Sequence, residues 1–337
     1  MKPLLSIQYL RAFAALAVVA YHAMQWRDEG FDVGRAGVDV FFVISGVIMW
    51  RITAGRDVPP LAFLWRRVTR VAPLYWSATL LVAAIAAAWP WFLPQVLGGG
   101  RHLALSLAFI PHFDARGRPF PTLPPGWSLI YEAIFYSIFA LALAGPRAWR
   151  GRVVVGGLTA VVAGGILLHD PVYILGANPM LWQFAAGLGL GVALEHDALP
   201  SRWWGVALIG AALAVWIVIQ SSGMFVELWR PFFWGVPATL LVAGALSLEA
   251  HGGVREWPAL KRLGDASYAI YLFHLPAVAV VAHTLGFRNP WLFLPASLLA
   301  AIGAGLAAHL WVEKPLLGWT RSAGVSPASP ATIDERQ

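Results

Sequence analysis

Apolar residues run along this chain in blocks of about 20, separated by short stretches where charge, proline and glycine collect. Blocks of that length match the hydrocarbon thickness of a bilayer at 1.5 Å per helical residue. Ten of them are expected as membrane-spanning helices, near 11–27, 37–51, 71–89, 127–145, 153–169, 174–194, 203–220, 231–249, 267–286 and 291–312. The pattern predicts an all-α fold, a polytopic transmembrane bundle of about ten spans. The run 102–111 is apolar but too short to cross, and a crossing there would invert every later loop. Residues 90–126 are therefore expected on the outer side as an interfacial or re-entrant segment that covers a site. Residues 1–316 form the membrane domain, and 317–337, with its Ser-Pro-Ala-Ser-Pro, is expected to be a disordered cytoplasmic tail.

Composition supports that class. Of 337 residues, 59% are hydrophobic and 12% charged, about half the charged fraction of a soluble domain. The mean hydropathy is +0.66. Eighteen tryptophans and eight tyrosines suit aromatic belts at the two interfaces. Cysteine is absent, which excludes disulfides, thiolate nucleophiles and cysteine metal sites. The N-terminal apolar run is read as a retained first span, because Arg11 interrupts its start and bulky residues follow where a signal peptidase site would need small ones.

The net charge of +7 reports topology rather than a nucleic-acid partner. Arginines crowd the loops around 51–70, 146–152, 195–202 and 250–266 and are sparser in the alternate loops. The positive-inside rule then puts both termini in the cytoplasm, in agreement with an even number of spans.

Against this background ionisable residues inside spans are the candidate chemistry. Arg11 and His22 lie eleven positions apart, which returns them to one helix face roughly 16 Å apart along the axis. His22, Asp39 and Glu132 are expected at similar depth in the outer half of three helices. A histidine beside a carboxylate makes a general-base pair, with the carboxylate orienting the imidazole. Each of the three also fits a structural role as a paired helix-packing residue. No His-x-x-x-His or Glu-x-x-His spacing supports a metal, and no Gly-x-Ser-x-Gly elbow supports a serine triad. Arg66, Arg67 and Arg70 stand at the cytoplasmic entrance of the third span, where they suit either plain anchoring or a phosphate clamp. Arg66 and Arg70, four apart, would share a face if helical. Gly187-Leu-Gly189-Leu-Gly191 is expected to serve close helix packing rather than nucleotide binding. His274, near mid-membrane beside Pro276, fits a structural or a site-lining role equally. His309 and Glu313 are expected to anchor the inner end of the last span. A proton-coupled transporter or flippase for a polar solute would use similar buried groups, although paired broken helices are not evident.

Several segments in this order carry a resemblance. They are Arg11 with His22; Gly37-Val-Asp39-Val-Phe-Phe-Val-Ile-Ser45-Gly46; Arg66-Arg67-Val-Thr-Arg70; Trp127-Ser128-Leu-Ile-Tyr-Glu132-Ala-Ile-Phe-Tyr136; and Ser267-Tyr-Ala-Ile-Tyr-Leu-Phe-His274. Together the chain resembles the acyltransferase-3 family of integral membrane acyltransferases over roughly residues 5–316. The resemblance implies about ten spans and transfer of an acyl group, most often acetyl, from a coenzyme A thioester to a carbohydrate hydroxyl. It implies that His22 is catalytic, with Arg11 its motif partner and with Glu132 and Asp39 supporting it. Joined to the residue reading, acetyl-CoA or another acyl-CoA would set its phosphates on Arg66, Arg67 and Arg70, with Arg11 joining them. His22 would act as general base or acyl relay, and Trp127, Tyr131, Tyr136 and His274 would line the acceptor site. The expected partners are a carbohydrate acceptor and the lipid bilayer, with no nucleic acid and no metal, in a bacterial inner membrane.

Overall fold

A computed structural model of the chain describes residues 4–27, 30–93, 96, 99–168, 178–223 and 229–322. Among these residues the secondary structure is entirely helical. The principal helices are α1 (Leu5–Gln25), α2 (Ala36–Thr53), α3 (Pro60–Ala88), α4 (Gly100–Leu107), α5 (Trp127–Leu143), α6 (Arg150–Leu168), α7 (Trp182–Glu195), α8 (Arg202–Ser222), α9 (Val236–Ala250), α10 (Pro258–Thr284), α11 (Pro290–Ala308) and α12 (Lys314–Ser322). Nine helical stretches among the described residues are long and apolar enough to cross a membrane. The expected span 174–194 begins outside the described residues; its described part is the turn Pro179–Leu181 and the 14-residue α7. The expected tail lies outside them beyond Ser322, and α12 carries helix through its first residues.

Local chemistry starts these helices where they start. Pro60, Pro258 and Pro290 occupy first-turn positions, where the missing N–H costs nothing. The Asn178 and Asn289 side chains accept from Met180 N and Trp291 N, both at 3.0 Å, capping their turns. The end of α1 is capped from a distance: the Glu249 carboxylate, on α9, accepts from Leu5 N at 2.8 Å, Ser6 N at 2.9 Å and Ser6 Oγ at 2.5 Å. A carboxylate on exposed N–H groups also complements the helix dipole.

α2 and α10 are the most enclosed spans, while α6, α8 and α11 are peripheral. The outward faces stay apolar, with Leu141, Trp203, Ile217, Trp291 and Leu299 exposed, as a surface solvated by lipid requires. α1 packs between α2 and α10, α7 crosses α2, α9 pairs with α8, and α11 lies along α10. Glycines permit the closest crossing. A Cβ on Gly187 would overlap the Val43 carbonyl, and one on Gly191 would come within 2.8 Å of Trp50 Cβ. The expected packing role of that glycine run matches this contact, since small residues let backbones approach.

Two expectations shift. The third span is longer than expected: α3 has 29 residues, so Arg66, Arg67 and Arg70 lie within a helix rather than in a loop before it. Among residues 90–126, the described part from Gly99 onward folds as the short α4 and a return loop held to α3. Tyr75 OH donates to Ser106 O at 3.0 Å, and Trp76 Nε1 donates to Leu107 O at 2.9 Å. Ser106 Oγ accepts from Thr122 N at 2.9 Å, and the rings of His102 and His112 are bonded at 2.8 Å.

Candidate active site

Two cavities with polar and charged side chains in largely apolar walls lie inside the bundle. One, of about 790 Å³ and called outer for the side on which the expected topology puts it, opens beside the last turns of α1, the start of α5, the middle of α10 and the loop after α4; it is lined by His22, Arg35, Arg118, Trp127, Tyr131 and Arg230 among others. The inner one, of about 230 Å³, is lined by Arg11, Ser45, Arg67, Arg70, Glu132 and Tyr136 among others. Val38 and Tyr271 line both. Arg11 and His22 therefore project from one face of α1 into separate chambers that share a wall, as their eleven-residue spacing predicts. Pro111, His112, Arg118, Pro119 and Phe120 from the loop after α4 form part of the outer lining.

Among the described residues no carboxylate is bonded to His22. Its Nδ1 lies 3.0 Å from the Val18 carbonyl oxygen and 3.1 Å from His274 Nε2. The expected carboxylate orientation of His22 is thus replaced geometrically by a second histidine. His274 is fully buried and lines neither cavity, so it stands behind His22 rather than in an acceptor site. Its Nδ1 is 2.7 Å from the Tyr271 carbonyl.

Glu132 belongs to the inner chamber. It accepts from Ser45 Oγ at 3.1 Å and from Tyr136 OH. The expectation of equal depth fails here because Glu132 lies five residues, about 7.5 Å, along α5 from Trp127, which lines the outer cavity. Tyr136 lies one turn deeper and also lines the inner cavity; of the aromatic candidates only Trp127 and Tyr131 reach the outer one.

Asp39 has a third environment. It is fully buried, accepts from Gln183 Nε2 at 2.5 Å and pairs with Arg230 at 3.0 Å. Arg230 in turn lines the outer cavity and stacks its guanidinium 5.6 Å from the Trp127 ring centroid. Asp39 therefore fixes a cavity arginine and does not touch His22. The sequence reading missed Arg230 and Gln183. The signal was available: Arg230 immediately precedes Pro231 at the start of a span, on the side where basic residues are scarce.

At the inner end, Arg67 and Arg70, three residues apart, face the cavity with Arg11. Arg66 points elsewhere, exposed, with Nε donating to the Ala62 carbonyl at 3.0 Å. The expected pairing of Arg66 with Arg70 on one face thus gives way to Arg67 with Arg70. Among the described residues Arg67 Nε is buried without a hydrogen-bond partner, while Arg70 pairs with Glu313. Glu313 is buried and also bonds His309 Nδ1 at 2.6 Å, so the expected anchor at the end of the last span is a three-residue network reaching α3. Tyr268 closes the chamber, its OH donating to the Val71 carbonyl at 2.8 Å. Among the described residues no three metal-ligating side chains converge.

The structure is thus an all-α membrane bundle with a histidine in one internal chamber and a cluster of arginines in the next. The family model for the Acyltransferase domain matches residues 4–310. The chain is 38% identical over 313 residues to the exopolysaccharide production protein ExoZ of Rhizobium meliloti, covering 91% of this chain and 96% of that one. It is 26% identical to the peptidoglycan O-acetyltransferase OatA of Listeria monocytogenes, covering 85% of this chain but 51% of that longer protein. It is also 26% identical to nodulation protein 10 of Rhizobium leguminosarum, over 91% of this chain and 92% of that one. No solved structure matches the chain. The chain belongs to the acyltransferase-3 family and is an integral membrane O-acetyltransferase.

Proposed function

We propose that this enzyme takes an acetyl group from cytoplasmic acetyl-CoA and places it on a hydroxyl of a carbohydrate, an exopolysaccharide or its lipid-linked precursor, at the outer side of a bacterial inner membrane. The observation that supports this reading most is the adjacency of the two chambers along α1. The inner one offers Arg11, Arg67 and Arg70, and guanidinium forks suit the phosphates of a coenzyme A. The buried Arg67 Nε, lacking a partner among the described residues, fits a site made for an anion. The outer one offers His22 with Trp127 and Tyr131, whose aromatic faces suit stacking on a sugar ring. The similarity to an exopolysaccharide production protein over 96% of its length favours that acceptor class.

In the reaction the pantetheine arm carries the thioester past Val38 and Tyr271 toward His22. The His22 imidazole takes the proton of the acceptor hydroxyl as its oxygen attacks the thioester carbon. The tetrahedral intermediate collapses by breaking the C–S bond. The departing thiolate receives the proton from the His22 imidazolium, so free coenzyme A and the acetyl ester leave with His22 restored. Glu132, held by Ser45 and Tyr136, balances the arginines of the inner chamber.

The test uses purified full-length protein in proteoliposomes, with radiolabelled acetyl-CoA inside and an exopolysaccharide repeat oligosaccharide outside. His22→Ala is expected to lose at least about 10²-fold in transfer, the lower end of what a general base contributes, with normal insertion and yield. Transfer at the wild-type rate in that variant would overturn the assignment. Label retained on the wild-type protein without acceptor would replace direct attack with an acyl-histidine relay.

A further inference from the structure

Two backbone carbonyls decide where the protons of the histidine pair reside. A carbonyl oxygen can only accept, so the Tyr271 carbonyl 2.7 Å from His274 Nδ1 requires the hydrogen on that nitrogen. A neutral imidazole carries one N–H, which leaves His274 Nε2 as a bare acceptor. The Val18 carbonyl 3.0 Å from His22 Nδ1 requires a hydrogen there by the same reasoning. That N–H is then shared between the Val18 carbonyl and His274 Nε2, 3.1 Å away. The two independent constraints agree on one arrangement, and His22 Nε2 is left with its lone pair. His22 lines the outer cavity and His274 does not. The rings hold each other at 4.8 Å between centroids.

A second proton on His274 would place an imidazolium at a site with no exposed surface. Asp39 is engaged with Gln183 and Arg230, and Glu132 with Ser45 and Tyr136, so neither carboxylate bonds to that ring. Burying an isolated charge there is costly, and the neutral tautomer is the one the site accommodates.

We propose that His274 is a positioning residue for the acetyl transfer: its Nε2 accepts from His22 Nδ1 and keeps the His22 Nε2 lone pair directed at the acceptor hydroxyl. It fills with a neutral group the place that a carboxylate takes in a Ser-His-Asp triad. The choice suits a membrane interior, where a buried carboxylate without a cationic partner would be expensive. This inference rests on His22 being the general base.

The test separates the two nitrogens of His274. In His274→Asn the short amide retains a donor for the Tyr271 carbonyl but falls short of His22. In His274→Gln the amide oxygen reaches the position of Nε2 and accepts from His22. Both are measured in proteoliposomes, with rates normalised to protein that elutes as a single species, beside His22→Ala. Expected are a loss in kcat on the order of 10²-fold for H274N and within about fivefold of wild type for H274Q, since tautomer control draws on the same general-base contribution. The KM for acetyl-CoA stays within about twofold in both, as for a residue that acts only through the base. Equal losses in the two variants, the reverse order, wild-type kcat in H274N or a change confined to KM would each overturn the proposal. If H22A retains wild-type transfer, the general-base reading fails by itself; if H22A is inactive while H274N is not, only the positioning role fails.

Discussion

Removing the Asp39 carboxylate tests whether the bundle depends on an ion pair at its centre. Asp39 is fully buried and Arg230 is 2% exposed, so Asp39→Ala removes a carboxylate bonded to an enclosed guanidinium. Breaking such a pair from one side costs about 3–5 kcal/mol, equivalent to roughly 10²–10⁴ in the unfolding equilibrium at about 1.4 kcal/mol per decade. Asp39→Asn keeps an amide oxygen for Arg230 and loses the charge; its cost is smaller, about 1.5–3 kcal/mol for a charge-assisted bond. Removing both partners, as Asp39→Leu with Arg230→Met, takes away the enclosed guanidinium as well, so stability recovers toward wild type. Transfer is not expected to recover, because Arg230 lines the same cavity as His22. The assay is detergent-to-SDS titration in mixed micelles, followed by tryptophan fluorescence, with transfer measured on the same preparations. An Asp39→Ala protein within about 0.5 kcal/mol of wild type, a shift typical of ordinary surface changes, would refute the reasoning. So would a double variant less stable than either single one.

Arg67→Ala and Arg70→Ala should each raise the KM for acetyl-CoA by about 10- to 100-fold, the value of one charge-assisted bond, whereas Arg66→Ala should leave it within twofold; equal effects at all three positions in initial-rate kinetics would return the cluster to simple anchoring. The return loop should loosen in acid. Burial first, and then neighbouring His112, hold the His102 imidazole below its ordinary pKa of 6.5. The folded state therefore binds that proton less readily than the unfolded one, and the loop stability this contributes is present above about pH 6.5 and declines as pH falls below it. Amide exchange of residues 100–122, corrected for intrinsic rates, should accelerate from pH 7.5 to pH 5.5, and His102→Gln should remove that dependence; unchanged protection in the wild type would contradict it.

The legible part of this protein was what depends on spacing along one helix. Arg11 and His22 share a face because eleven residues make close to three turns, and the structure puts them in adjoining chambers for that reason. The packing role of Gly187 and Gly191 was legible because small residues in an apolar run have few other uses. Depth across helices was harder. Counting from the ends of blocks puts Asp39 and Glu132 level with His22, and an error of one turn displaces a side chain by about 5.4 Å. Arg66 and Arg70 looked like the paired positions, yet the rotation of α3 against α5 and α10 faces Arg67 and Arg70 inward.

Sequence alone determined that the chain crosses a bilayer as helices, because the bilayer interior leaves backbone groups few other partners. It also determined the family, because five short motifs keep their order over nearly the whole length. The partnership among those motifs was decided by tertiary structure. Which side chain meets which base depends on the rotation and depth of helices far apart in the chain, as His22 and His274 are, 252 residues from each other. Those variables are set by the packing of α1 between α2 and α10, where a Cβ on Gly37 would meet the Ala14 carbonyl and one on Gly264 the Gln8 carbonyl. Hydropathy reports how far a residue lies along its own helix; only the packed bundle brings a second histidine, rather than Asp39 or Glu132, to the nitrogen of the first.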